Sequence, residues 1–419
     1  MTTMPRTGSF YGWRVAGAAC VLAGFGWGMG FYGPPVFLSV LQETRGWPVA
    51  MISAAVTVHF LVGALTSANL RSLHRRYGPA KATRIAGVCL AAGCCGWAVA
   101  GEAWQLFLAA LPSGLGWGAM SASAINAIVS PWFVRSRPAA LGMAYNGASI
   151  GGIIFSPLWV AGIGVLGFPA AAAAIGLTMV LVTWTLAYLF FAQTPEQMGL
   201  VPDGDTPHTS TPPLTSPAAR PLPGRLLWGD RRFLTLSAGM SLGLFAQIGL
   251  VAHLFSLLLP ALGAQGAGFA MALVTAMAIA GRTLIGRLMP IGVDRRLVAC
   301  GGYAAQLAGS ITLAAAAGTS VPLLMLGVVL FGVGFGNATS LPPLIAQVEF
   351  VIEDVQRVVS LMVGIAQGAF AFAPAVFGLV RGLTSAALET SPGAAPYLFA
   401  VAGLVQACAI AAFLTGRRR

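Results

Sequence analysis

Acid is what this chain has least of. Eleven Asp and Glu are spread over 419 residues, and charged residues of both signs make up only 8%. A soluble domain carries about 25%, so the composition excludes one. No Asp or Glu falls clearly inside a long apolar stretch; Glu349, at the end of one, comes nearest. Acid pairs, nucleophile constellations and metal-ligand spacings are all missing, which argues against an enzyme. Lysine is scarcer still, a single Lys81 against 22 arginines, and there are four histidines. The six cysteines (Cys20, Cys89, Cys94, Cys95, Cys300 and Cys408) lie in apolar runs without His at ligand spacing. They read as small buried apolar side chains, not disulfides, and no metal or other cofactor is expected. The N-terminus shows no cleavable signal pattern.

What the chain has in abundance is apolar length. Hydrophobic residues make up 57%, and twelve runs reach the roughly 20 residues that cross a bilayer. They lie near 13–41, 48–70, 82–101, 104–133, 138–164, 169–192, 232–260, 267–289, 297–318, 321–348, 358–380 and 396–416. Gly33-Pro34-Pro35 is expected to bend the first helix, and Pro342-Pro343 the tenth. The fold class is an all-α membrane protein of twelve transmembrane helices.

The basic residues are sorted by side. With both termini inside, the cytoplasmic segments hold 20 of the 23 Lys and Arg; Arg45 and Arg381 fall in outer loops, and Arg282 is left over. This asymmetry places both termini in the cytoplasm. It also explains the net charge of +12 without nucleic acid. Trp13, Trp47, Trp104, Trp132 and Trp228 fall near run ends, as interfacial anchors do. Residues 195–230 contain eight prolines and few apolar residues, and read as an extended or disordered cytoplasmic linker. The chain thus divides into bundles 1–194 and 231–419. The expected setting is a bacterial cytoplasmic membrane, with a monomer in the lipid bilayer.

The two halves resemble each other. Gly114, Gly116 and Gly118 recur as Gly332, Gly334 and Gly336, an offset of 218, and Gly147 and Pro157 recur as Gly364 and Pro374, an offset of 217. Two parallel six-helix repeats with a site between them form a transporter architecture.

One residue stands out within a span. Arg282 lies inside the run 267–289, in Ala278-Ile279-Ala280-Gly281-Arg282-Thr283-Leu284-Ile285-Gly286. A guanidinium stays charged at any relevant pH, and placing one at mid-membrane costs about 3 kcal/mol. The run offers no acidic partner, so the substrate is the expected anion. The plainer alternative is an arginine that caps helix carbonyls or snorkels to the cytoplasmic edge.

Several stretches resemble one family. Tyr11-Gly12-Trp13-Arg14-Val15 opens the first run, and Gly46-Trp47-Pro48 precedes the second. Trp132-Phe133-Val134-Arg135-Ser136-Arg137-Pro138-Ala139-Ala140-Leu141-Gly142-Met143-Ala144 looks like a Trp-Phe-x-x-Arg-Arg-x-x-Ala-x-Gly signature. Pro195-Glu196-Gln197-Met198-Gly199-Leu200-Val201-Pro202-Asp203-Gly204 follows the sixth run. Together they resemble the major facilitator superfamily over nearly the whole length, and within it the monocarboxylate porter group with its oxalate:formate antiporter-like members. The resemblance implies two pseudo-symmetric six-helix bundles. It also implies that Arg282 binds a substrate carboxylate, and that His253, followed by Leu254, contributes to the pocket. His253 is read as the one histidine within a span and as the proton-coupling candidate; the plainer alternative is a core histidine bonded to a carbonyl.

The departures matter too. At the family's Gly-x-x-x-Asp-Arg-x-Gly motif stand Arg71, Arg75, Arg76 and Gly78, so Arg75 replaces the gating Asp. Ala278 stands where animal monocarboxylate transporters carry an Asp, and the eleventh run, 358–380, has no basic residue where the oxalate carriers have a lysine. One fixed positive charge suits a monoanion. Of Asn126, Asn146, Gln247, Asn337 and Gln367, the candidate substrate-binding set takes Asn146, Asn337 and Gln367 with Arg282 and His253. Tyr32, Tyr145, Trp27 and Phe31 are candidates to shape the pocket. The expected function is alternating-access transport of a small organic anion, a monocarboxylate, with protons as a candidate co-substrate. The alternatives are a drug-efflux carrier, although Gly147-Ala148-Ser149-Ile150-Gly151-Gly152 lacks the proline of drug antiporters, and, more remotely, a non-transporting sensor.

Overall fold

The structure is a computed structural model that describes residues 10–204, 224–288, 293–387 and 393–417. Its helices are α1 (Tyr11–Gly30), α2 (Gly33–Arg45), α3 (Val49–Ala68), α4 (Leu70–Val99), α5 (Ala103–Ala119), α6 (Ala122–Val129), α7 (Arg137–Leu166) and α8 (Phe168–Leu189). After the linker come α9 (Gly224–Leu227), α10 (Arg231–Leu288), α11 (Arg295–Ala315), α12 (Val321–Phe335), α13 (Asn337–Glu349), α14 (Ile352–Ala371), α15 (Ala373–Ala387) and α16 (Pro396–Thr415).

Ten helical stretches among the described residues are long and apolar enough to cross a membrane. One of them, Arg231–Gly286, has 56 residues, about 84 Å of helix, far more than one bilayer. It breaks at Gly263, whose φ of 67° is open to glycine and strained for other residues. The break makes two limbs of α10 and two crossings. The pair α5 and α6, each too short alone, adds another, which brings the crossings to twelve. Phe10 and Arg417, the first and last described residues, lie at one end of the bundle, called here the terminal end; the turns at Gly46 and Gly263 mark the far end.

The breaks follow unsatisfied carbonyls. Pro34 has no N–H for the Gly30 carbonyl four residues back, and the N–H groups of Phe31 and Tyr32 both turn to Trp27, at 2.9 Å each. Other helices supply the missing donors. His59 Nε2–H reaches the Gly30 carbonyl at 2.9 Å, and Trp159 Nε1–H reaches the Gly28 carbonyl at 3.2 Å. Because a carbonyl only accepts, His59 carries its proton on Nε2, and Nδ1 accepts from Ser113 at 2.9 Å. His59 falls within the run 48–70, so the reading of His253 as the one span histidine is corrected. His59→Leu leaves that buried carbonyl unpaired and is expected to cost about 1–3 kcal/mol, measurable by thermal unfolding in detergent.

Three other expectations change. The tenth run breaks at Gly336, not at Pro342-Pro343; these proline rings crowd the carbonyls of Ala338 and Thr339, and the distortion is taken up just upstream. Arg381 is not in a loop: α15 runs past it to Ala387, so the helix of the eleventh crossing carries a basic residue just beyond the run 358–380. Of the six cysteines only Cys94 and Cys300 are buried, and Cys408 is exposed.

The glycine repeat is a packing repeat. Methyl carbons built on Gly114 and Gly118 would overlap the carbonyls of His59 and Gly63 on α3; on Gly332 and Gly336 they would overlap those of Val274 and Ala278 on α10. Gly116 likewise meets Ala86 on α4, and Gly334 meets Gly302 on α11. Equivalent helices of the two halves thus touch backbone to backbone at equivalent places, as small residues allow.

Residues 205–223, most of the expected disordered linker, lie outside the described residues. Its beginning is ordered. The Asp203 carboxylate accepts from the N–H groups of Val134 (2.9 Å), Arg135 (2.7 Å) and Ser136 (3.1 Å), immediately ahead of α7. This ties together two motifs 60 and more residues apart in sequence. Partial burial works against the charge of Asp203, but the N–H donors more than offset it and hold the carboxyl below the ordinary aspartate range. A depressed folded-state value means that the contribution is fully present above the unfolded value of about 3.9, and is lost as pH falls through the folded one. The melting-temperature gap between wild type and Asp203→Asn should therefore be widest at neutral pH and close below about pH 4.

Burial shows which end is shut. Every residue from 28 to 39 and from 246 to 258 is buried, so the far parts of the first and seventh crossings are enclosed on all sides. Toward the terminal end the same crossings expose Arg14 and Val21, and Arg231, Leu234 and Ala238. The halves meet in the far part: Ala375 N–H donates to Thr57 Oγ1 at 3.1 Å, and a methyl on Gly378 would sit 2.6 Å from Ser53 Oγ. The first and seventh crossings are thus enclosed in their far parts and partly exposed toward the terminal end.

Candidate functional site

Arg282 lies on the second limb of α10, below the closed seam. Seven residues earlier on the same limb, two helical turns, is Thr275. A methyl on Gly152 of α7 would touch both Thr275 Cγ2 and Tyr32 Cζ at 2.6 Å, so this face of α10 looks across to the first half. Seven residues is close to two full turns, so Arg282 continues that face toward the terminal end. Its Nε–H donates to the Gly336 carbonyl at 3.1 Å, at the break between α12 and α13. The plainer reading of Arg282 is therefore met in part: it caps a helix carbonyl through one nitrogen. The guanidinium is half-buried, and among the described residues it has no carboxylate partner. It sits in the terminal half of its crossing, six residues short of the end of α10.

Tyr32 stands opposite, at the break between α1 and α2. It is 4% exposed, packs edge-on against Phe31 at 5.0 Å, and lies within electrostatic reach of Arg282. Among the described residues its hydroxyl has no protein partner. Arg282 and Tyr32 thus come from opposite halves onto facing sides of the seam.

The rest of the expected set is not brought to this place. His253 is fully buried on the first limb of α10, where Nε2–H donates to the Pro374 carbonyl at 3.2 Å and Nδ1 has no partner. Its charged neighbour is Arg381, which donates to Ser256 one turn on. His253 belongs to the closed far end, not to a pocket shared with Arg282. Asn337 is 3% exposed, and its side-chain amide donates to the Val333 carbonyl of α12, four residues back, at 3.4 Å. Asn146 is exposed, on the stripe of α7 with Ile150 (41%) and Ile154 (52%), a third of a turn from the Gly152 face; that stripe suits lipid. Gln367 is half-buried on α14, and nothing joins it to Arg282. Tyr145 bonds the Ala122 carbonyl at 3.3 Å, at the break between α5 and α6.

Residues 18–374 match the Major Facilitator Superfamily. The chain belongs to that superfamily. Among solved structures, it resembles a nucleoside transporter at 15% identity over 96% of this chain and 100% of that one, with a TM-score of 0.71. It resembles a D-xylose–proton symporter at 12% identity over 96% and 97%, TM-score 0.71. It also resembles a bacterial homologue of the human lysosomal transporter Spinster, inward-facing and occupied, at 13% identity over 96% and 94%, TM-score 0.65. At such identities the likeness is one of fold. No curated protein sequence matches the chain. As a major facilitator protein it is a multi-pass membrane transporter rather than an enzyme, and the twelve crossings, glycine repeat and central seam are that superfamily's frame.

Proposed function

We propose that this transporter moves a small organic monoanion, a monocarboxylate, by alternating access. Residues 1–194 and 231–419 rock as two bodies about the seam, and the terminal end faces the cytoplasm. The observation that carries the reading is Arg282: a buried-side guanidinium, anchored on Gly336 through Nε, with no acid to neutralise it among the described residues. An unpaired cation below a closed seam is expensive, and a substrate carboxylate relieves that cost. Tyr32 supplies a hydrogen bond from the opposite half, so a bound acid touches both bodies.

His253 enters this scheme as a residue of the far gate, reached only when that end opens. The test is uptake of labelled lactate, pyruvate, formate and oxalate into proteoliposomes, with pH set on each side. Saturable uptake of a monoacid that the others compete for supports the proposal. Silence across the panel, with protein shown to be folded, overturns it.

A further inference from the structure

The two halves treat their terminal-end cations differently. In the second half each of four arginines holds a carboxylate: Arg232 with Asp230 (3.0 Å), Arg296 with Glu349 (2.6 Å), Arg357 with Asp354 (2.8 Å) and Arg417 with Asp294 (2.6 Å). Arg296 is 1% exposed, so that pair is part of the fold.

The stretch 71–84 of the first half has no such supply. Arg71, Arg75, Arg76 and Lys81 are exposed, and Arg84 is half-buried with its Nε unpartnered. These five cations fall within residues 71–84, a stretch without a single Asp or Glu. Among the described residues none of them makes an ion pair. The packing repeat relates His59, Gly63 and Ala86 to Val274, Ala278 and Gly302. The same offset of 215 to 216 puts Gly78 and Pro79 where the second half has Asp294. The carboxylate that neutralises one half is absent from the other.

The cations stand at the terminal end, between the apolar parts of the second and third crossings, where α3 ends and α4 bends at Gly78 (φ 73°). Tyr77 sits among them, 38% exposed, with Arg76 and Lys81 over its ring at 5.4 and 5.5 Å. A half-exposed tyrosine under two cations fits the headgroup layer, where its ring and hydroxyl both find partners.

We propose that the surface formed by Arg71, Arg75, Arg76, Lys81 and Tyr77 docks the phosphate headgroups of anionic phospholipids, which supply to the first half the negative charge that acidic side chains supply to the second. The bilayer itself is the partner. Its anionic lipids present phosphate at that depth and at high local concentration, and clustered Lys and Arg beside a membrane helix are the chemistry that holds them.

The test uses the full chain purified in a neutral detergent. Melting temperature is followed while phosphatidylglycerol, phosphatidylcholine or glycerol 3-phosphate is added. Phosphatidylglycerol is expected to raise it by a few degrees, and the other two are not. The double variant R75Q/R76Q should lower the apparent affinity for phosphatidylglycerol by about fivefold per cation removed; Arg45→Gln, at the far end, should not change it. An unchanged response in R75Q/R76Q overturns the proposal. So does an equal response to glycerol 3-phosphate, which would make this a site for free phosphate esters. If the double variant does not purify folded, Arg71→Gln replaces it, and native mass spectrometry counts retained phosphatidylglycerol. Fewer bound lipids than in wild type support the proposal, and equal numbers overturn it.

Discussion

Replacing Arg282 by alanine should lower uptake of the proposed acid substrate about a hundredfold while leaving the protein folded. Truncating one partner of a buried charged pair costs about 2–5 kcal/mol, and the upper half of that range exceeds two powers of ten. Stability should hold because Arg282 contributes one hydrogen bond to the fold, to Gly336, and removing it also removes an unpaired charge. Arg282→Lys separates the two roles. It keeps the charge and loses the Nε anchor, since an ammonium is a point charge on a flexible stem; transport should fall about tenfold. Tyr32→Phe, which keeps the ring packing and deletes the hydroxyl, should raise KM more than it lowers the maximal rate. Uptake in proteoliposomes, normalised to folded protein, checks all three. Wild-type rates in Arg282→Ala would remove the central claim.

The second large effect is on stability. Gly147→Ala places a methyl carbon on top of the Cys20 carbonyl of α1, with the neighbouring Cys20 backbone also too close. Backbone cannot turn aside as a side chain can, so α1 and α7 must part along a turn or more. Overpacking of this kind costs about 3 kcal/mol, and Gly151, against the Gly24 carbonyl, shares the same contact. The sequence repeat pairs Gly147 with Gly364, yet Gly364 has nothing within 4 Å and is exposed. Gly364→Ala should therefore be neutral or stabilising by up to about 1 kcal/mol, through helix propensity alone. Thermal unfolding should show a lowered melting temperature for Gly147→Ala and an unchanged or raised one for Gly364→Ala.

That pair of glycines marks the limit of what the sequence makes legible. The apolar runs, the side of the arginines and the constant offset reveal a twelve-helix repeat, because length and charge asymmetry act locally. Arg282 is legible too, because a charge inside a run is costly wherever the run goes. Its bond to Gly336 is not, since it joins residues 54 apart and depends on how α10 lies on α12. His253 looked like a pocket residue because resemblance gives a position along the chain, whereas its depth depends on where the closed seam falls. His59 does carry a sequence signal: Pro34 leaves the Gly30 carbonyl without a donor, and a polar residue on a neighbouring helix must answer it. The role of Asp203 was hidden because a proline-rich stretch reads as linker, and nothing local reveals that its first turn caps a helix start.

The enclosed far segments have an electrical consequence. In the proposed cycle, a cavity open at the terminal end would carry the potential of its own bath inward, so most of the transmembrane field would fall across the short sealed part around residues 28–39 and 246–258. Arg282 lies on the bath side of that drop. When the seal moves to the other end in that proposed cycle, the drop would move past Arg282, and one elementary charge would change sides of the field without travelling. Across 100 mV that is worth up to about 2.3 kcal/mol. A carrier returning empty should thus be voltage-sensitive. A carrier loaded with a monoanion, its charge cancelled, should cross without current.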